Sequence, residues 1–196
     1  MKRVALIVLL SIAAATGDDK DKNKFSPGKA SSIPGHQTME QITIAAVPYT
    51  TDDQARTAFG KVNPYKHGVL PVLVVIDNGT GKALRLDLKA EVTQVNGDSV
   101  EATPAKDVIF IGGGRPPRMP PNPLPVPLPQ RKGPLNTWEI EGRAFSAKLL
   151  PAGDSVNGFF YFQTDPRPGS KLYLTGIKDA ASGKEYFYFE IPLTTP

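Results

Sequence analysis

The sequence predicts an all-β protein, an antiparallel sandwich of about seven to nine strands. Apolar runs of strand length recur through residues 42–193, and Gly, Pro and Asn turns separate them at spacings of about 8 to 12 residues. Long helical periodicity is absent from the same stretch. The chain contains no cysteine, so disulfides and thiolate metal sites are excluded and stability must come from burial of apolar side chains.

The amino-terminal residues are typical of a secretory signal peptide. Lys2 and Arg3 precede an apolar run over residues 4–15, and about 12 apolar residues are fewer than the roughly 20 that a spanning helix needs. We therefore assign residues 1–16 to a signal peptide. The mature protein is expected to be periplasmic or extracellular, with no stable membrane span.

Residues 17–41 are predicted to be a disordered tether, because few sizeable apolar groups lie among their charges, Gly, Pro and Ser. Residues 42–196 then form a single β-sandwich domain, which is long enough for one core of ordinary size. Without Lys2 and Arg3, 21 of the 23 basic residues remain against 19 acidic ones. This imbalance is too small to indicate a nucleic-acid partner.

The first elements of the domain are a strand and a short helix. Residues 41–49 form an apolar strand that Pro48 ends. Thr51 and Gln54 then have the spacing of a capping box, with two carboxylates in the first turn, and they predict a helix over residues 52–59.

The clearest strand signal lies at residues 69–76, which are apolar throughout, as expected of a strand at the centre of a sandwich. Residues 83–89 instead alternate leucine with charged side chains, which predicts a strand with one exposed face. Asn78-Gly79 between the two runs predicts that they form a hairpin.

The remaining strands follow the same pattern of short apolar runs bounded by turns. They are residues 90–95 and 99–103, which form a second hairpin around a turn at 96–98, and then residues 144–150, 155–163, 171–177 and 185–193. In the last of these, Tyr186 and Tyr188 are predicted to lie on the more exposed face, opposite Phe187 and Phe189.

A proline-rich stretch, residues 112–134, interrupts the strands and holds nine of the chain's 20 prolines. Each half of the chain alone has too few strands to cover a core, so the stretch is predicted to be a loop within one domain rather than a linker between two. Gly112 to Gly114 are expected to act as a flexible hinge rather than to bind a phosphate, since prolines follow them and no helix N-terminus is predicted there.

The same stretch is a candidate binding element. Its prolines favour a stiff polyproline II arm, and no acidic residue occurs between Asp107 and Glu139. The arm could bind an envelope protein or an anionic envelope polymer, or it could be only a stiff connection. The residues that would carry binding are Arg115, Pro117, Arg118, Pro120, Pro123, Arg131 and Lys132.

A second candidate is an aromatic face formed by Tyr161, Tyr186 and Tyr188. In sandwich modules an exposed tyrosine face can receive a peptide or a sugar, although such residues also serve as core and half-buried strand positions.

Residues suited to catalysis are scarce. The chain has two histidines, His36 in the predicted tether and His67 in a loop, so a histidine-rich metal site is excluded and no cofactor or metal is expected. Asp77 to Gly81 superficially resembles a calcium loop but lacks the later carboxylates that such a loop needs. The alternatives to a binding module are a hydrolase that uses His67 with a nearby carboxylate, and a pilus-like or chaperone-like module that acts by strand addition.

One part of the chain resembles a known group of proteins. The segments Phe59-Gly60-Lys61, Asn63-Pro64-Tyr65, Gly68-Val69-Leu70-Pro71-Val72 and Val75-Ile76-Asp77-Asn78, with Leu150-Pro151-Ala152-Gly153 leading into Gly158 to Phe162, resemble exported bacterial proteins of unassigned role. The resemblance implies an immunoglobulin-like sandwich outside the cytoplasm and supplies no catalytic residue. Together with the residues above, it predicts a non-enzymatic interaction or structural module of the cell envelope.

Overall fold

The protein contains two antiparallel β-sheets and three short helices, in a computed structural model that describes residues 25–111, 133–135 and 137–194. The strands are β1 (His36–Met39), β2 (Ile42–Pro48), β3 (Leu70–Asn78), β4 (Leu84–Thr93), β5 (Ser99–Glu101), β6 (Leu149–Leu150), β7 (Ser155–Phe162), β8 (Lys171–Asp179) and β9 (Phe189–Pro192). The helices are α1 (Asp52–Phe59), α2 (Ala105–Val108) and α3 (Trp138–Gly142). The predicted all-β class is therefore confirmed.

The strands divide between two sheets that we call sheet A and sheet B. Sheet A has the order β1-β2-β3-β7, and sheet B has the order β5-β4-β8-β9 with β6 paired to the start of β4. Strands from both sides of the proline-rich stretch pair directly, since Leu70 of β3 lies opposite Phe162 of β7 and Thr93 of β4 lies opposite Lys171 of β8. Both halves of the chain thus contribute to each sheet.

The two sheets face each other across a core of alternating apolar side chains. Leu84, Leu86 and Val92 of β4 point into this core, whereas Arg85 and Asp87 between them are exposed. The partners from sheet A include Ile44, Val72, Val74 and Ile76. The alternation seen in the sequence of β4 therefore marks a strand that is buried on one face only.

A second core covers the other face of sheet A. Leu73 and Val75 of β3 and Phe159 and Tyr161 of β7 are buried there. The layer above them, which we call the covering layer, consists of residues 25–33 and the three helices and contributes the buried side chains of Ala30, Ala55, Ala58, Phe59, Val108 and Ile140. Because β3 is buried on both faces, its sequence is apolar throughout, as predicted.

The helix predicted over residues 52–59 is confirmed as α1. The Thr51 side chain accepts a hydrogen bond from the backbone amide of Gln54, and the Gln54 side chain accepts one from the backbone amide of Thr51. This is the reciprocal capping box that the sequence indicates. The hairpin predicted around residues 96–98 is also confirmed, as β4 and β5, with Glu91 opposite Glu101.

The hairpin predicted at Asn78-Gly79 is wrong, because β3 and β4 belong to different sheets. Asn78 is buried, and its side-chain amide nitrogen donates to the backbone oxygens of Lys82 (2.7 Å) and Pro151 (2.9 Å). Its side-chain oxygen accepts from the Thr80 amide. Asn78 therefore fixes a corner at which the chain passes from sheet A to sheet B.

The predicted tether is corrected over residues 25–41. His36 begins β1, and the Ala30 amide donates to the Asp77 carboxylate at 2.9 Å. The Phe25 ring lies 5.6 Å from that of Phe159. A few apolar side chains with specific long-range partners are enough to hold this segment on sheet A. Residues 1–24, which include the predicted signal peptide, lie outside the described residues.

The strand predicted over residues 185–193 is shorter than expected, and its faces differ from the prediction. Regular pairing as β9 covers Phe189–Pro192, and residues 185–186 pair with β8 separately. Across this irregularity Tyr186 packs against the core between the sheets, whereas Phe187 is 69% exposed. Residues 144–150, also predicted to be a strand, form regular structure only at β6.

Candidate functional site

An open cleft of about 440 Å³ lies on the side of the protein where β7 of sheet A approaches β4 of sheet B. Its walls are formed by residues 88–91, 101–105, 144–145 and 159–161. The volume lies within the range of about 300–1,000 Å³ that ligand pockets occupy.

Two crossings of the chain frame the cleft. In the first, the Ala102 amide donates to Ala90 O (3.0 Å) and the Thr103 amide donates to Tyr161 O (2.7 Å), which connects β4 to β7. In the second, the Phe145 amide donates to Phe159 O (2.9 Å), and three residues later Lys148 O accepts from the Leu86 amide (2.9 Å). The cleft is the opening between these crossings.

A bulge in β4 lies at the cleft. The register between β4 and β8 shifts between Leu86 and Lys89. On β8, Gly176 has φ +88°, and a Cβ there would lie 2.1 Å from the Asp87 backbone oxygen. Only glycine fits this close approach, so Gly176 maintains the bulge that shapes the cleft wall.

Two aromatic rings form one wall. Phe145 and Phe160 are half-buried and stack with centroids 5.4 Å apart and an angle of 15° between their planes. Phe145 can approach β7 because residue 158 is glycine, where a Cβ would lie 2.5 Å from the Phe145 Cα. The stack gives the cleft a flat apolar surface that remains partly open to solvent.

Two acidic residues, Glu91 and Glu101, are among those that line the cleft. Their neighbours Ala90 and Ala102 face the core between the sheets, so the two carboxylates project from the outer face of sheet B. Glu91 and Glu101 occupy directly opposite positions on β4 and β5, an arrangement of like charges that is unfavourable. Ser99 Oγ donates to Glu91 Oε2 at 2.7 Å. Within the described ranges neither carboxylate forms a salt bridge, and the one cation that lines the cleft there is Lys89. The residues that line the cleft therefore include an aromatic pair, two acidic residues and one basic residue.

The predicted aromatic face is not formed. Tyr161 is buried on the opposite side of sheet A, where its hydroxyl donates to Ile140 O at 2.7 Å and burial raises its pKa. Tyr186 packs against the core between the sheets, and Tyr188 is 50% exposed. Tyr188 instead pairs with Tyr173, at a centroid distance of 5.1 Å.

Tyr173 also lines a smaller groove of about 310 Å³ on the exposed face of sheet B. Lys171 and Glu190 form an ion pair at 2.9 Å in the same groove. This groove contains one aromatic side chain and an already neutralised charge pair. It is therefore a weaker candidate than the cleft.

An aromatic cluster beneath the covering layer is structural. The Phe159 ring contacts Tyr49 (4.9 Å) and Phe59 (4.8 Å), and burial raises the pKa of Tyr49. The Arg143 guanidinium lies 4.8 Å from the centroid of the Phe25 ring, which it covers. These contacts hold residues 25–33 and the chain after α3 on sheet A.

His67 lies apart from the cleft. It ends a 3₁₀ turn at Pro64–His67 and is exposed to solvent. No group of three or more His, Cys, Asp or Glu side chains that could hold a metal ion occurs in the part of the chain that the structure describes. The arm residues 112–132, which include Arg115, Arg118, Arg131 and Lys132, lie outside that part.

The sheet edges are short or occupied. Where the sheets meet at β1 and β9, the Glu190 amide donates to Gln37 Oε1 at 2.8 Å, and Pro192 has no amide hydrogen. Edge strands β1 and β5 have four and three residues. The edge of β7 is bridged at Phe159 and Tyr161. Among the described strands, none offers the long unpaired edge that strand addition requires.

The sequence contained a signal for only part of the site. The predicted hairpin correctly placed β5 beside β4 at the cleft, but a turn at residues 96–98 would put Glu91 opposite Thr103. In the structure Gln94 lies opposite Asp98, and this register puts Glu91 opposite Glu101. The sequence around Phe145 does not indicate its place in the cleft, because that place depends on contact with Gly158 at the edge of β7. Phe160 lies in the aromatic run of residues 159–162, and nothing in that run identifies Phe145 as its partner.

The fold defines an all-β protein of two packed antiparallel sheets. No protein-family model matches the chain, and no curated protein matches it. Among solved structures, the chain is similar to the X-ray structure of Northeast Structural Genomics Consortium target SoR45, with 17% identity over 65% of this chain and 71% of that one and a TM-score of 0.30. So limited a similarity assigns no function. None of the helices in the described residues is long and apolar enough to span a membrane.

Proposed function

We propose that the protein is an exported, non-enzymatic interaction module of the cell envelope, with an immunoglobulin-like sandwich and a cleft that binds an extended cationic peptide segment. The stacked pair Phe145–Phe160, in a cleft that the acidic residues Glu91 and Glu101 also line, carries the proposal. Aromatic grooves recognise extended and proline-rich peptides, and nearby carboxylates select basic ones.

The strand order supports the immunoglobulin-like assignment. In that fold, strands A, B and E lie in one sheet and strands C, F and G lie in the other. Here β2, β3 and β7 are neighbours in sheet A, and β4, β8 and β9 are neighbours in sheet B. The addition of β5 beside β4 matches the extra strand that variable-type domains carry next to strand C.

A binding role also agrees with the position of the titratable groups. The cleft rim is open to solvent, and His67, the histidine available to a hydrolase, does not line it. Export rests on the basic and apolar residues at the start of the chain. The aromatic cleft favours an envelope protein as the partner. The experiment must distinguish this from binding of an anionic polymer by the basic residues of the proline-rich stretch, which are Arg115, Arg118, Arg131 and Lys132.

Affinity capture from the protein's own envelope tests the proposal. The full mature chain serves as bait, beside Phe160→Ala, the double variant Glu91→Gln with Glu101→Gln, and Tyr188→Ala as a matched aromatic control on the other groove. We expect the mature chain and Tyr188→Ala to capture the same protein in similar amounts. The amount captured by the cleft variants should be lower by about tenfold or more. Equal capture by all four baits, or capture of polymer alone, would overturn a cleft that binds peptide.

A further inference from the structure

We infer that Asn96, at the tip of the β4–β5 hairpin, is a site of spontaneous deamidation, and that the product loosens this hairpin beside the cleft. The inference does not depend on the proposed peptide ligand. It rests on a comparison of the three Asn-Gly pairs in the sequence, which begin at Asn78, Asn96 and Asn157 and lie in different structural settings.

Deamidation needs only water and a backbone that can bend. The amide nitrogen of the residue after asparagine attacks the side-chain Cγ, its proton passes to solvent, and the side-chain nitrogen leaves as ammonia. Water then opens the five-membered imide ring. Breaking the bond from Cγ to the ring nitrogen gives aspartate, and breaking the bond from the backbone carbonyl carbon gives isoaspartate, in which the chain continues through Cγ. A glycine after the asparagine favours ring closure, because it has no Cβ and is the most flexible residue.

The turn that holds Asn96 allows this ring closure. Residues 95–98 are exposed to solvent, and Gly97 has φ +90°. Gly97 N, the attacking nitrogen, donates to Gln94 O at 3.0 Å within the same turn. Asn96 Nδ2, the leaving group, donates to Asp98 Oδ2 at 2.6 Å in an exposed contact. Ring closure therefore requires only the local opening of a surface turn, which costs little free energy.

Asn78 is held against the same reaction. It is buried, and its side-chain nitrogen donates to the backbone oxygens of Lys82 (2.7 Å) and Pro151 (2.9 Å). The attacking nitrogen, Gly79 N, donates to Gln41 O at 2.8 Å in the turn before β2. Loss of the side-chain nitrogen would leave buried carbonyl oxygens unpaired, so ring closure requires the corner between the sheets to open.

Asn157 is exposed but lies within β7. It is paired with Val75 of β3, so its backbone is held in the extended conformation. Gly158 is buried, and a Cβ there would lie 2.5 Å from the Phe145 Cα. Ring closure would require β7 to leave its place in sheet A. Exposure alone does not distinguish Asn96 from Asn157, whereas the freedom of the backbone to open locally does.

The product changes both the charge and the length of the turn. A carboxylate at position 96 would lie beside the Asp98 carboxylate that the Asn96 amide contacts, in a hairpin where Glu91 and Glu101 are already opposite one another. Isoaspartate also adds a methylene group to the backbone within the turn. Both changes weaken the pairing of β5 with β4. Residues 101–105, which begin at the end of β5, line the cleft, so the change reaches its wall.

Timed incubation of the full mature chain in mildly alkaline buffer tests the inference. Peptide mapping by mass spectrometry measures conversion at all three asparagines in one sample, so Asn78 and Asn157 are internal controls. The same chain unfolded in urea is the reference in which none of the three is held by the fold. Asn96→Gln is the matched variant, because a glutamine side chain is one methylene longer and does not form the five-membered ring.

We expect Asn96 in the folded protein to be converted at least about tenfold faster than Asn78 or Asn157, because a surface turn opens far more often than a buried corner or a paired strand. The rate should rise with pH, since the attacking nitrogen must lose its proton. In urea the three rates should become similar. Equal rates in the folded protein, or faster conversion at Asn157, would overturn the inference. The same order of rates in urea would overturn it as well, because the fold would then not be the cause.

Hydrogen exchange tests the effect on the hairpin. The amides of residues 99–102 should exchange about threefold or more faster in Asn96→Asp and in the incubated chain than in Asn96→Gln, whereas those of β3 should not change. Unchanged exchange at residues 99–102 would overturn the loosening of the hairpin. Both measurements use purified protein alone, so their outcome is separate from the capture of an envelope partner.

Discussion

The outer face of sheet A and the outer face of sheet B differ in how far they are buried. Sheet A has its outer face buried under residues 25–33 and three helices, with Phe159 at the centre of an aromatic cluster. The outer face of sheet B is exposed to solvent and presents charged side chains such as Arg85 and Asp87, with the Tyr173–Tyr188 pair among them. One face is therefore part of the core, and the other is surface.

This difference indicates where binding can occur. A ligand on sheet A would have to displace the covering layer, at the cost of its buried apolar area. The face of sheet B and the open side near β7 and β4 need no such displacement. The cleft lies on that open side.

The largest expected effect tests the contrast between the faces directly. Phe159→Ala should destabilise the protein by about 3–5 kcal/mol, because the ring is fully buried beneath the covering layer. Tyr188→Ala should cost about 1 kcal/mol or less, because Tyr188 is half exposed and loses mainly its contact with Tyr173. Urea unfolding of both variants measures the difference, and similar costs would contradict a covered sheet A.

The second prediction concerns the corner that joins the two sheets. Asn78→Ala should cost about 2–4 kcal/mol, because it leaves buried backbone oxygens of Lys82 and Pro151 without a donor. Asn96→Ala is the matched control, since Asn96 lies in a true hairpin turn and its contact with Asp98 is exposed. The control should cost about 1 kcal/mol or less. Equal losses in free energy of unfolding would contradict the stabilising role of the Asn78 side chain at this corner.

A smaller effect is expected in the covering layer itself. Thr51→Ala removes the acceptor for the Gln54 amide at the start of α1 and should cost about 1 kcal/mol. Thr57→Ala on the exposed side of the same helix should be nearly neutral, because alanine has the higher helix propensity. A shift in thermal midpoint for Thr51→Ala no greater than that for Thr57→Ala would show that the cap contributes nothing.

The smallest effect concerns pH and lies at the end of sheet B. The backbone amide of Ser182 and the Lys82 side chain hold the pKa of Asp179 at about 2, below its ordinary value of 3.8. Because the folded pKa is lowered, the carboxylate stabilises the fold above pH 4 and this contribution is lost as the pH falls towards 2.

Asp179→Asn keeps an acceptor for the amides of Ala181 and Ser182 and loses only the charge. The thermal midpoint of the native protein should therefore exceed that of the variant at pH 6, and the two should converge near pH 2. A difference that does not change with pH would rule out the charge of Asp179 as its cause.

Local patterns predicted the strands that depend on local physics. The unbroken apolar run of β3 correctly indicated a strand buried on both faces, and the alternation of β4 correctly indicated a strand buried on one face. Thr51 and Gln54 correctly indicated the start of α1. Each of these features is set by side chains within about a turn or two of one another.

The features that sequence reasoning missed depend on distant partners. Asn78-Gly79 has the local sequence of a hairpin turn, but β3 and β4 lie in opposite sheets, where their apolar faces are better buried. Backbone carbonyls more than 70 residues away complete the hydrogen bonding of Asn78. Composition likewise predicted disorder for residues 25–41, whereas Phe25 and Ala30 have specific partners on sheet A. The cleft was missed because Phe145 and Phe160 meet only in the folded chain.

The docking of Phe25 against Phe159 has a consequence for the order in which the chain can fold. The two rings lie 5.6 Å apart although 134 residues separate them in the sequence, and β7 itself pairs with β3 across the whole proline-rich stretch. Contacts of such long range slow folding to the range of milliseconds to seconds. The amino-terminal segment can therefore reach its final position only after β7 has joined sheet A.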